Sequence, residues 1–295
     1  MPAAHATESR RAAWLMLASV AVFSLMDAGL KTLATQYPPF QVAALRGGSS
    51  LPLLLAWALA TAGPRALLRV RWPLHLLRGV LGIAMMASFV YALRTLPLST
   101  AYSIFFVAPL LITALSVPIL RERVGPRRWA AIAVGLLGVL VVLRPTGEGM
   151  LTLAGLAVLL AAFGYAVSAI TVRVLARTDS TQAITFWLLA LMALGAGALA
   201  APGWVPLRSE HLAIVAGIGL AGALGQWAIT EAFRRGEASM IAPLEYSALV
   251  WGLLLDLTLW GVLPDGITWL GAGIIIASGL YLLRRERVHA EAGHP

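Results

Sequence analysis

The sequence predicts an all-α membrane protein of ten transmembrane helices, arranged as two inverted five-helix repeats. Three observations carry this expectation: an extreme composition, a one-sided distribution of cations, and a self-similarity between the two halves of the chain at one constant offset. The 295 residues are 60% hydrophobic and only 12% charged, with a mean hydropathy of +0.85. That is far from an ordinary soluble domain. A helix needs about 20 apolar residues to cross about 30 Å of hydrocarbon, so ten crossings occupy about 200 residues and leave little for a separate soluble domain.

Clusters of Pro, Gly and Arg divide the apolar sequence into spans at 14–34, 41–62, 74–93, 100–120, 129–144, 153–172, 181–201, 212–233, 239–261 and 268–284. The first span follows Ser9, Arg10 and Arg11 and resembles a secretion signal over Trp14 to Leu25. No small-residue cleavage site follows, and Asp27 and Lys31 continue the same helix, so it reads as an uncleaved span. The chain then divides into an N-terminal tail at 1–13, a first repeat at 14–144, a second at 153–284 and a C-terminal tail at 285–295.

Of the 22 Lys and Arg residues, only Arg94, Arg144 and Arg208 fall in connections on one side, and only Lys31, Arg46 and Arg78 fall within spans. The rest, from Arg10 and Arg11 to Arg287, lie on the other side. By the positive-inside rule that side is cytoplasmic, which puts both termini there and makes the bacterial inner membrane the expected location. The formal charge of +9 is therefore explained by orientation. Nucleic acid is not an expected partner, since that requires a basic stripe on a soluble face.

At that constant offset Phe23 matches Phe163, Gly79 matches Gly219, Gly82 matches Gly222, Ala92 matches Ala232, Arg94 matches Arg234, Ser99 matches Ser239, Trp129 matches Trp269 and Leu140 matches Leu280. A repeated unit with an odd number of spans enters the membrane from opposite sides in its two copies. Secondary transporters use that inverted symmetry for alternating access.

Other function classes lack their chemistry. There is no cysteine, and His5, His75, His211, His289 and His294 lack the close His and carboxylate spacing of a zinc site, so no metal or cofactor is expected. Ser88, Ser103, Ser116 and Ser168 have no histidine at comparable depth, which argues against an intramembrane hydrolase. Gly217-Ile-Gly219-Leu-Ala-Gly222 spells a dinucleotide fingerprint, but it lies inside an apolar span and reads as close helix packing. A non-transporting receptor or scaffold, and a lipid flippase, remain as alternatives to a metabolite carrier.

The block Ala92-Leu-Arg-Thr-Leu-Pro-Leu-Ser-Thr-Ala-Tyr102, then Ala108-Pro-Leu, then Leu120-Arg-Glu-Arg-Val-Gly-Pro-Arg-Arg-Trp129 resembles the EamA domain, which occurs in tandem in the drug/metabolite transporter superfamily. The resemblance covers residues 14 to 285. Asp27 with Lys31, Ala-Leu-Arg46, His75-Leu-Leu-Arg78-Gly79 and Ala242-Pro-Leu-Glu-Tyr246 are similar to the branch containing S-adenosylmethionine and riboflavin uptake carriers. The resemblance implies a carrier of a small organic solute, and it covers both importers and exporters.

Ionisable groups inside spans are costly and mark candidate sites. Asp27, Lys31, Arg46 and Asp256 fall in the outer halves of their spans and form an expected outer cluster. Arg78, Glu231 and Glu245 form an expected inner one. Asp27 and Lys31 have the four-residue spacing of a helical ion pair. Glu245 and Asp256 share a face of the ninth span, and Glu245 follows Pro243, where a missing amide suits a cavity-lining break. Tyr165 and Tyr246 need partners for their phenols, and Trp251, with Phe163 among other rings, is expected to line the midplane. The two clusters are expected to act as alternating gates around a central substrate, with Asp27 or Glu245 as a candidate proton carrier. Membrane lipids are the other expected partners, and a homodimer stands as an open alternative for the assembly.

Overall fold

Proline opens several of the helices, as expected where a missing amide costs no hydrogen bond. In a computed structural model of the chain, α1 spans Pro2–Ala34, α2 Pro39–Thr61, α3 Pro64–Leu68 and α4 Trp72–Leu93. Then come α5 at Leu98–Phe105, α6 at Val107–Leu120, α7 at Pro126–Leu143, α8 at Leu153–Leu175 and α9 at Thr181–Ala200. The chain continues with α10 at Leu212–Arg235, α11 at Ala238–Ile241, a 3-10 helix at Ala242–Ser247 and α12 at Ala248–Trp260. The structure describes residues 2–122, 125–143 and 152–261, with 266, 267, 269–271, 273, 274, 277, 278 and 281. Apart from those positions, the expected tenth span and the C-terminal tail lie outside the described residues.

Eight helical segments among the described residues are long and apolar enough to cross a membrane. They coincide with the first four and the sixth to ninth expected spans, and α7 occupies the fifth. Their outer faces carry exposed Leu25, Leu76, Val80, Leu160, Leu194 and Leu220. Apolar side chains on that scale match hydrocarbon as the surrounding medium. Phe163, expected to face the midplane, is on this outer surface at 52% exposure.

The helices pack in matched pairs. α1 lies against α10 as α8 lies against α4, and α2 lies against α10 as α9 lies against α4, while α2 and α9 meet each other. Glycines permit the close approaches. A Cβ on Gly79 of α4 would stand 2.7 Å from Leu191 Cβ of α9, and one on Gly219 of α10 would stand 2.6 Å from the Ser49 carbonyl oxygen of α2. These two glycines are one of the pairs that match between the halves. Hydrogen bonds from Ser50 Oγ to the Gly219 carbonyl and from Ser19 Oγ to the Gly225 carbonyl, each 2.9 Å, tie α2 and α1 to α10.

Two spans are broken, and at matching places. Leu98–Leu120 is interrupted at Phe106 between α5 and α6; Pro109 has no amide for the Phe105 carbonyl. The later span begins as the 3-10 stretch Ala242–Ser247, which contains Pro243, before regular helix resumes. Phe106 and Tyr246, which occupy equivalent positions in the two repeats, meet edge to face with ring centres 5.2 Å apart. Gly135 of α7 makes room for the Tyr246 ring, because a Cβ there would be 2.9 Å from it.

Candidate functional site

The two broken spans and the helices beside them enclose a cavity of about 160 Å³. α1, α2, α4, α5, α8, α9, α10, the 3-10 stretch and α12 all contribute to its wall. α7 does not. Most of the wall is apolar, with Phe23, Met85, Met86, Phe89, Phe105 and Phe106 prominent, and Asp27, Arg46, Arg78 and Glu245 are set into it.

Each carboxylate is held by a tyrosine from another helix. Tyr102 of α5 donates a 2.9 Å hydrogen bond to Asp27 Oδ2 on α1, and Tyr165 of α8 donates a 2.7 Å hydrogen bond to Glu245 Oε1. The arrangement is crossed between the halves. In the first, the acid is on the opening span and the phenol on the broken one; in the second, the phenol is on the opening span and the acid on the broken one.

The guanidinium groups rest on neutral partners. Arg46, 4% exposed, reaches Gln226 Oε1 at 3.5 Å and stands over the Phe23 ring at 5.7 Å, while its Nε is buried without an acceptor. Arg78, 1% exposed, donates to Ser168 Oγ at 3.3 Å and to the Ile184 carbonyl at 2.8 Å. Among the described residues, none of the four charged groups of the cavity forms an ion pair.

The expected clusters are therefore redrawn. Asp27 and Lys31 do not pair with each other: Lys31 pairs with Asp256 at 3.4 Å and lies over the Trp260 ring, whereas Asp27 turns to the cavity and Tyr102. Asp256 also accepts from the Ser99 amide at 3.1 Å, so it ties α12 to α1 and α5 away from the cavity. Glu231 also leaves the expected inner cluster. It lies 2.6 Å from Arg235 on the next helical turn and accepts from Thr181, so it fastens α10 to the start of α9. Tyr246 is packed between Phe106 and α7 with its hydroxyl unpartnered, and Trp251 is 38% exposed on the outside; neither lines the cavity.

Sequence reasoning missed Tyr102, Gln226 and Thr230, all of which line the cavity. For Tyr102 a signal was present, since a phenol within an apolar span needs an acceptor. It also missed two latches at the ends of the bundle. His75 Nε2, at the start of α4, donates at 2.8 Å to Asp179 in the connection after α8. At the other end His211, just before α10, bonds at 2.8 Å to the Tyr37 hydroxyl in the connection after α1.

The sequence pattern of the EamA-like transporter family matches residues 10–144 and, a second time, residues 152–284. The chain belongs to the EamA-like transporter family. As a member of it, the chain is a multi-pass membrane transporter. It is similar over 93% of its length to a riboflavin transporter of Rhizobium johnstonii, at 31% identity and covering 91% of that protein. An S-adenosylmethionine uptake transporter of Rickettsia prowazekii is 29% identical, with 95% of each chain covered. A pseudopaline exporter of Pseudomonas aeruginosa is 27% identical over 90% of this chain and 93% of its own. A protein of known crystal structure superposes with a TM-score of 0.75 at 25% identity, covering 94% of this chain and 97% of its own.

Proposed function

We propose that this EamA-like transporter is a secondary-active carrier of a small organic metabolite in the bacterial inner membrane. It works by alternating access about the central cavity, with its two halves inserted in opposite senses and both termini in the cytoplasm. The observation that carries the reading is the pair of broken spans, which meet at Phe106 and Tyr246 beside the cavity, at equivalent positions of the two repeats. Interrupted helices at equivalent places in two halves are where carriers of this kind bind their cargo. The matched packing of α1 with α10 and α8 with α4 supports the same symmetry.

The cavity chemistry favours a cargo with a planar or apolar body and mixed charge. Aromatic and Met side chains supply much of the apolar wall; Asp27, Arg46, Arg78 and Glu245 supply both signs. The two end latches serve as gates, because each links the two halves at one end of the bundle: His75 to Asp179, and Tyr37 to His211. Breaking one while the other holds would open the cavity to one side only. Asp27 and Glu245 are the carboxylates placed to exchange a proton with the cavity during that cycle. Proteins named as an uptake transporter and as an exporter are both similar to this chain over at least 90% of its length, and the direction of net flux follows the coupled gradients.

The test is uptake of labelled S-adenosylmethionine, riboflavin and amino acids into proteoliposomes containing the purified protein. Saturable, counterflow-stimulated flux of one of these is expected. Ligand binding with no flux would favour a receptor.

A further inference from the structure

One turn of α8 gathers two opposite charges that belong to other helices. Tyr165 and Ser168 are three residues apart, so their side chains lie on one face of α8, about 4.5 Å apart along its axis. Ser168 Oγ accepts from Arg78 Nε of α4, and the Tyr165 hydroxyl donates to Glu245 Oε1 of the broken ninth span. Both charged groups are buried, at 1% and 6% exposure, and both line the same cavity. Neither has an oppositely charged partner within salt-bridge distance among the described residues.

Their remaining polar atoms are uncommitted. Arg78 spends Nη1 on the Ile184 carbonyl, leaving Nη2, and Glu245 spends Oε1 on Tyr165, leaving Oε2. A buried charge without a counter-charge is expensive, and a fold normally relieves it with an ion pair. This fold does so elsewhere, at Lys31 and Asp256. Two charges of opposite sign without counter-charges, whose contacts on α8 are one helical turn apart in a mostly apolar wall, are complementary to a zwitterion.

Resting on the carrier reading above, the geometry points to an α-amino-acid head group as the recognised part of the cargo. Its carboxylate is taken by Arg78 and its ammonium by Glu245. The two charges of such a head sit on one carbon and fit between groups anchored a single turn apart. The rest of the molecule, aromatic or thioether in character, lies against Met85, Met86, Phe89 and Phe105.

The experiment uses the full chain in lipid nanodiscs and reads thermal stabilisation against ligand concentration. The probes are S-adenosylmethionine, tryptophan and methionine as zwitterions, with the amide and the N-acetyl derivative of each amino acid, and riboflavin as a neutral ring compound. At least one zwitterion is expected to stabilise saturably, with its amide and N-acetyl forms about 10- to 100-fold weaker, the range for loss of one charged hydrogen-bonded contact. In Glu245→Gln the advantage over the N-acetyl form should vanish, and in Arg78→Gln the advantage over the amide. A purely structural role would change the melting temperature of the free protein without altering either preference. Blocked derivatives that bind as well as their parents, or no zwitterion binding at all, overturn the inference, and this ligand series decides even if a variant does not fold. Saturable riboflavin flux without zwitterion binding would defeat the amino-acid assignment and leave the carrier reading standing. No saturable flux of any solute would defeat the carrier reading itself.

Discussion

At its ends the bundle pairs its charges. Glu231 lies 2.6 Å from Arg235, Lys31 lies 3.4 Å from Asp256, and Asp179 accepts from His75 at 2.8 Å. Around the cavity, Asp27, Arg46, Arg78 and Glu245 instead rest on phenols, an amide, a hydroxyl and a backbone carbonyl. The same chain therefore has the means to neutralise buried charge and does not use them in the middle. Pairing at the ends fastens helices; on the proposed carrier reading, neutral support in the middle keeps charge available to a ligand. The difference is broken most directly at the cavity. Asp27→Asn and Glu245→Gln keep the shape and the tyrosine contacts, so they should fold with melting temperatures close to the parent and lose at least about 100-fold in flux, the scale of about 2.7 kcal/mol. Proteoliposome uptake by both variants measures it, and unchanged flux in both would remove these carboxylates from the site.

The end pairs should respond in the opposite sense, in stability before transport. Asp256→Asn leaves Lys31 with Trp260 and no carboxylate, and is expected to destabilise by about 2 kcal/mol, less than for a fully buried pair because Lys31 keeps some solvent contact. The double change Lys31→Met with Asp256→Asn should recover most of that loss, and a melting series of the four proteins gives the coupling. A smaller contrast lies between the two repeat-related glycines. Gly219→Ala drives a methyl onto three Ser49 atoms at 2.6, 2.8 and 2.9 Å, the carbonyl oxygen and carbon among them, whereas Gly79→Ala meets one atom under 3.0 Å, the Leu191 Cβ at 2.7 Å. Both are destabilising, and Gly219→Ala by about 1 kcal/mol more. Equal shifts would mean that α2 withdraws from α10 more easily than α9 does from α4.

Eight of the expected spans were legible because hydrocarbon imposes length and composition on every crossing, and the glycines were legible because Gly79 and Gly219 recur at the repeat offset. Candidate charges were legible for the same reason: Arg78 and Glu245 stand out in apolar surroundings. Partnership was not. A spacing of four between Asp27 and Lys31 says that the two share a helix face, but the face of a tilted helix meets different neighbours at different depths, and Lys31 meets α12 where Asp27 meets α5. Trp251 shows the converse error. An aromatic ring suits lipid as well as a cavity wall, so composition alone could not decide which way it pointed. The latches were hidden because Asp179 and Tyr37 sit in connections whose positions depend on how the halves dock.

The smallest effect tests whether an end latch is a real fastening. Burial raises the Asp179 carboxyl, but hydrogen bonds from Thr178, from His75 and from the Arg71 amide outweigh it and hold the group below its ordinary 3.8. A carboxyl whose folded value is depressed stabilises the fold fully above the unfolded value and loses that contribution as pH falls through the folded value. Asp179→Asn should therefore cost about 1 kcal/mol near neutrality. Below about pH 4 the gap to the parent protein should close, as the parent's own carboxylate takes up its proton. Melting temperatures of both proteins in nanodiscs, followed from neutral pH into acid, measure the gap. A difference that goes on widening below about pH 4 would mean that the Asp179 carboxylate opposes the fold, and with it the latch that sets this end of the bundle apart from the cavity.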